Sequence, residues 1–152
     1  MFRVAMFLIS PLILLLACER PPDEAADRDV QRQAARAVEL ADQRFDPVAF
    51  DTLHPISAER TLERGRVVYE VSCAKCHGAE GRGDGGFVFL GDTLRPRSFQ
   101  DPDWASLHVP MQLRRMIFVG TAEGMPHWGI RGLAIRDVDA VASYIESELG
   151  PR

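Results

Sequence analysis

The sequence predicts a small all-α domain of a few short helices, set behind an N-terminal export segment. Three observations predict it: apolar residues recur at helical spacing in several separate segments, glycine and proline punctuate those segments, and no stretch shows the alternation of a half-buried strand. The folded part begins at Ser57, an N-cap with Glu59 in the first turn, where the helix dipole favours an acid. Leu62, Gly65, Tyr69 and Cys73 then share one face. From Gly78 to Gly91 the chain is glycine-rich and reads as loop. Asp101-Pro102 reads as a cap with proline at the first helical position, which puts Trp104 on a short helix. Pro110 opens another, with Leu113 and Met116-Ile117 facing inward and Gly120 ending it. The last helix runs from Arg136 to Leu149 on a stripe of Val138, Val141-Ala142, Ile145 and Leu149, and Gly150-Pro151 stops it.

The chain has 152 residues and a formal net charge of −4, with hydrophobic and charged shares ordinary for a globular protein. That charge excludes a nucleic-acid binder, which needs a concentrated basic face. The three cysteines, Cys18, Cys73 and Cys76, are an odd count and argue against a disulfide framework. Arg3 followed by the apolar run Val4 to Leu16 reads as an export signal, too short to span a bilayer comfortably. It ends Leu15-Leu16-Ala17-Cys18, which resembles the lipobox of bacterial lipoproteins; residues 1–17 are then cleaved and Cys18 is acylated. A plain signal peptide, or an uncleaved anchor with Cys18 incidental, is the other reading.

Residues 18–56 are polar, acidic and alanine-rich, with nine acids against five arginines between Glu19 and Leu53. Val30, Ala34, Val38, Ala41 and Phe45 form a thin helical stripe that cannot make a core alone. The segment is expected to be a solvated tether, partly helical, whose full extension would reach on the order of 100 Å. The alternative is a helix that docks on a partner subunit through Phe45, Val48 and Phe50.

A helical domain spanning residues 57–149, with a tail of 150–152, has too little core of its own and calls for a staple. Cys73-Ala74-Lys75-Cys76-His77 is the C-x-x-C-H pattern of c-type haem attachment. Cysteines at i and i+3 face the same way on a helical turn, so both sulfurs reach the vinyl groups of one porphyrin. His77 then binds iron through Nε2 while its other nitrogen donates to a backbone carbonyl. A zinc site would need a second ligand pair, and a thioredoxin-like pair a βαβ context; the sequence offers neither. For the sixth iron position the candidates are Met111, Met116, Met125, His108 and His127. Met125 is favoured because it stands in the stiff loop Gly124-Met125-Pro126, whereas Met111 and Met116 lie on a helix, where methionine is more often core filling. His108 or His127 would serve if Met125 did not. His/Met ligation closes both axial positions and suits electron transfer rather than oxygen chemistry.

Gly65 and Tyr69 ahead of Cys73-Ala74-Lys75-Cys76-His77-Gly78, the Met125-Pro126 loop and Tyr144 on the last helix together resemble a class I, mono-haem c-type cytochrome, here in lipoprotein form. The resemblance covers residues 57–149. It implies a cytochrome c-like fold wrapped around one covalent haem c, with first and last helices crossing closely at Gly65 beside Tyr69 and Tyr144. It also implies a proline carbonyl accepting from His77, for which Pro96 is the expectation. Gly81-Arg82-Gly83-Asp84-Gly85-Gly86 satisfies G-x-G-x-x-G, but no strand precedes it and no helix follows, so it is read as a flexible loop beside the haem edge. Arg82, Arg95 and Arg97 are candidates to pair with the haem propionates, and Trp128 to shield the Met125 side.

The expected function is one-electron transfer on the periplasmic face of a bacterial membrane, without enzymatic activity or a small-molecule substrate. The expected partners are redox proteins or membrane complex subunits. The alternative is a fixed mono-haem subunit of a respiratory, quinol-oxidising complex; a gas sensor or peroxidase-like enzyme is the third reading. With thirteen acids and eleven bases, the haem domain has no strong steering field.

Overall fold

The computed structural model describes residues 24–54, 56–104 and 109–151. Six α-helices lie wholly among the described residues, in order α1 (Glu24–Arg44), α2 (Val48–Asp51), α3 (Ala58–Ser72), α4 (Ala74–His77), α5 (Pro110–Val119) and α6 (Ile135–Tyr144). The chain beyond α6 continues as a π-helical turn over Ile145–Leu149. A two-stranded antiparallel hairpin, β1 (Val88–Phe89) and β2 (Asp92–Thr93), pairs Val88 with Thr93 and Phe89 with Asp92. The described residues are therefore mostly helical, as the all-α prediction requires, and this small hairpin is the addition. Two-residue strands carry no periodicity from which to read them.

Helix α3 starts where expected, with Ser57 Oγ accepting from Arg60 N at 3.3 Å. It crosses α6 at Gly65. A Cβ on that residue would lie 2.7 Å from Tyr144 Cβ and from the Ala140 carbonyl carbon, so only glycine permits this approach. Tyr69 and Tyr144 pack beside the crossing, ring centroids 5.7 Å apart. Every residue of the predicted α6 stripe is buried: Val138, Val141 and Ala142 completely, Ile145 and Leu149 nearly so. Leu113 and Ile117 of α5 join this core, whereas Met116 is partly exposed. Trp104 is helical, as expected, and buried; residues 105–108 lie outside the described residues.

The N-terminal segment departs from the expected tether. The expected partial helix is Glu24–Arg44, continuous and about 30 Å long at 1.5 Å per residue, and the departure is that it is not solvated throughout. Its C-terminal half lies on α5. Ala41 is fully buried, Asp42 pairs with Arg115, and Phe45 packs edge-on against Phe118 with centroids 5.5 Å apart. Phe50, on α2, is buried against Phe45 at 5.7 Å. Phe45 and Phe50 are thus used within the chain and not held out for a partner, while Val48 stays exposed. The thin stripe suffices because Phe118 offers it an aromatic surface. No helix among the described residues is long and apolar enough to cross a membrane.

Candidate cofactor site

The turn Cys73–His77 is built from the end of α3. The Cys73 N–H still donates to the Tyr69 carbonyl at 2.8 Å, and His77 N and Cys76 N both donate back to the Cys73 carbonyl. That single turn sets Cys73, Cys76 and His77 on one wall of a cavity of about 330 Å³. Met116 of α5, the loop residues Thr121, Met125 and Pro126, and Trp128 line it too, together with Leu94, Arg95, Pro96 and Arg97. Phe99 and Trp104 complete the apolar lining.

The chemistry of the donors follows from burial. Both thiols are unpaired and buried. Desolvation pushes the Cys73 thiol up to about 12 and raises Cys76 too, so both are neutral thiols rather than metal-binding thiolates at neutral pH. Burial pushes His77 down to about 4, leaving a neutral imidazole, the form that can ligate a metal. Its ring stacks on Phe99 at 4.9 Å and 17°. Its Nδ1 is buried with no hydrogen-bond partner, an arrangement that costs about 1–3 kcal/mol when nothing answers it. Two neutral thiols, one neutral imidazole and a thioether around one apolar cavity fit an iron porphyrin, while the unanswered Nδ1 is the nitrogen expected to face a backbone carbonyl rather than the iron.

The loop after His77 is anchored to this turn. Gly83 N donates to the His77 carbonyl at 2.8 Å and Gly85 N to the Cys76 carbonyl at 3.2 Å, which caps the C-terminus of α4. Gly83 does so at φ 77, a backbone conformation that side chains resist. The G-x-G-x-x-G run is therefore a cap on the cysteine turn rather than a flexible loop. Tyr69 supports the same region, its buried hydroxyl donating to the Gly78 carbonyl at 2.7 Å.

The structure sorts the other expected residues. Of the sixth-ligand candidates, Met125 and Met116 line the cavity, Met111 packs on the core without lining it, and His127 does not reach it. His108, like Cys18, lies outside the described residues. Pro96 lines the cavity, but its carbonyl abuts Gly83 and makes no hydrogen bond to His77, so the expected acceptor role is not met. Arg82 is corrected as well: it does not line the cavity, because Glu80 and Asp84 hold its guanidinium on the surface. Arg95 and Arg97 do line it, with Arg97 bonded to Asp101 at 2.8 Å and to Asp103. Phe99 was not singled out from the sequence. A lone aromatic in a polar, proline-containing loop is the signal that points to it, since such a ring must find a buried seat.

A helical fold that seats a C-x-x-C-H turn and a loop methionine around one apolar cavity defines a c-type cytochrome domain, whose function is haem-based electron transfer. The family model described as "Cytochrome C oxidase, cbb3-type, subunit III" matches residues 60–145, more than half of the chain, and the protein belongs to that family. No curated protein and no solved structure matches the chain significantly.

Proposed function

We propose that this chain is a one-electron carrier that holds a single haem c through Cys73 and Cys76, with His77 and Met125 as the iron's axial ligands. The observation that supports this reading is that all four side chains line one cavity. When bound, the haem supplies the reversible ferrous–ferric couple. The chain's own contribution is to fix and desolvate it. The cysteine turn holds the ring, and Phe99 and the Gly83 cap fix His77. Leu94, Trp104 and Trp128 keep water away, Arg95 provides positive charge beside the cavity, and Arg97 lines it already paired with Asp101 and Asp103. Closing both axial positions leaves the iron no substrate site, as a carrier requires. Met125 is chosen over Met116 because the 121–125 turn that carries it is folded by Thr121 N donating to the Met125 carbonyl at 2.9 Å. The far-red sulfur-to-iron band of the ferric protein tests the choice. It is expected in the wild type and in Met116→Ala, and absent in Met125→Ala; its loss in Met116→Ala instead would reverse the assignment.

The remaining parts of the reading concern location. Cys18 is the acylated N-terminus that ties the protein to the periplasmic face of the membrane, and Cys18→Ser should release it from the membrane fraction. A second reading, a fixed subunit of a membrane oxidase complex, is favoured by the description of the matching family. Gentle detergent extraction separates the two: a free carrier migrates alone, a subunit with its complex.

A further inference from the structure

We propose that the segment from Ala41 to Leu53, outside the family match, is a clasp that keeps Met125 on the iron, with Phe45 its main positioning residue. The inference rests on the reading of Met125 as a ligand. Three links carry it. On the outer side, Phe45 meets the ring of Phe118 edge-on at 5.5 Å, Phe50 backs Phe45 at 5.7 Å, and Asp42 pairs with Arg115 one turn earlier on α5. On the inner side, the same Phe118 ring lies against Gly129, where any Cβ would overlap it, and Gly129 N donates to the Phe118 carbonyl at 3.0 Å. Gly129 closes the stretch that holds Met125, and the other end of that stretch, at Thr121, follows directly from α5.

The Met125 stretch has no regular secondary structure of its own between Gly120 and Ala134, so its position depends on what packs behind it. Behind it stands Phe118, and behind Phe118 stand Phe45 and Phe50. Movement of Met125 away from the cavity draws Gly129 off the Phe118 ring and opens a gap in this stack, which close-packed interiors resist. The clasp therefore favours the ligated arrangement over the detached one, and that difference alone makes it a positioning device. The segment's far end is tied down as well: Arg136 of α6 donates to the His54 carbonyl at 3.0 Å.

The test compares full-length haem protein carrying Phe45→Ala with wild type and with Leu149→Ala, a buried truncation in the π-helical turn, outside the Phe45–Phe118–Gly129 stack. Phe45→Leu serves if the alanine variant fails to fold. The readouts are affinity of the ferric protein for added imidazole, which competes with Met125, and the melting temperature. Imidazole is expected to bind roughly tenfold tighter to Phe45→Ala, equivalent to about 1.4 kcal/mol, and with wild-type affinity to Leu149→Ala although that variant melts lower. Unchanged affinity in Phe45→Ala overturns the clasp, and so does an equal gain in Leu149→Ala, which would mark a general loosening. Absence of the far-red sulfur band from the wild type would instead remove Met125 as ligand, and the clasp with it.

Discussion

Replacing Gly65 with alanine sets two physical effects against each other, and the structure decides between them. Mid-helix glycine to alanine stabilises a free helix by about 1 kcal/mol. Here the added Cβ would lie 2.7 Å from Tyr144 Cβ and from the Ala140 carbonyl carbon, about 1 Å inside ordinary contact. One of those neighbours is backbone, so no rotamer change relieves the clash and α3 and α6 must separate. Overpacking of that kind costs about 3 kcal/mol, at the upper end of its usual range. The net expectation is a loss of about 2 kcal/mol after the gain in propensity. For a domain of this size that lowers the melting temperature by roughly 10 °C. Thermal unfolding of the full-length haem protein, followed by helical circular dichroism, reads the shift. A Gly65→Ala protein that melts at or above the wild-type temperature would refute the close crossing, because it would mean that propensity alone governs the site.

Three further outcomes follow from side chains around the core. Tyr69→Phe keeps the ring but leaves the buried Gly78 carbonyl with only the 3.3 Å bond from Gly81 N, and should cost about 0.5–1.5 kcal/mol in a urea titration while leaving the visible spectrum unchanged; no loss would mean that bond is not made. Arg114, nearly buried, bonds Asp139 at 2.7 Å and Glu146 at 3.4 Å, so Arg114→Ala leaves two half-buried carboxylates unmatched. A loss of about 1–3 kcal/mol is expected, reduced from the fully buried case by partial exposure, and a neutral result would count against the network. Burial raises the Glu146 carboxyl above its ordinary value despite Arg114. The folded state then holds its proton more tightly than the unfolded state, so this group's contribution to stability falls as pH rises from about 4.5 through the folded value. The melting temperature of wild type minus that of Glu146→Gln should therefore decrease across that window, and an increase would show the opposite shift.

How much was legible in the sequence depended on whether a residue's role is local. The cysteine turn needs only i, i+3 and i+4 geometry, so Cys73, Cys76 and His77 could be read directly, as could the α6 stripe from Val138 to Leu149. Gly65, Tyr69 and Tyr144 were readable as a set only through the resemblance to class I c-type cytochromes, which implies a close crossing of first and last helices at those residues. Roles that depend on a distant surface were not. The stripe ending at Phe45 looked too thin because its partner, Phe118, lies 73 residues away. Phe99 acquires meaning only when His77 stacks on it, and Arg82, absent from the cavity lining, is taken up by Glu80 and Asp84. The glycines from Gly81 to Gly86 were visible as loop, but their hydrogen bonds to the turn carbonyls required coordinates.

Intact-mass spectrometry of the denatured, full-length protein, run beside its visible absorption, tests the central claim most directly. One haem held by two thioethers predicts a mass larger than the polypeptide by one haem, with colour that stays on the chain through acid and organic extraction. A folded protein of bare polypeptide mass, or colour that extracts completely into solvent, would contradict it.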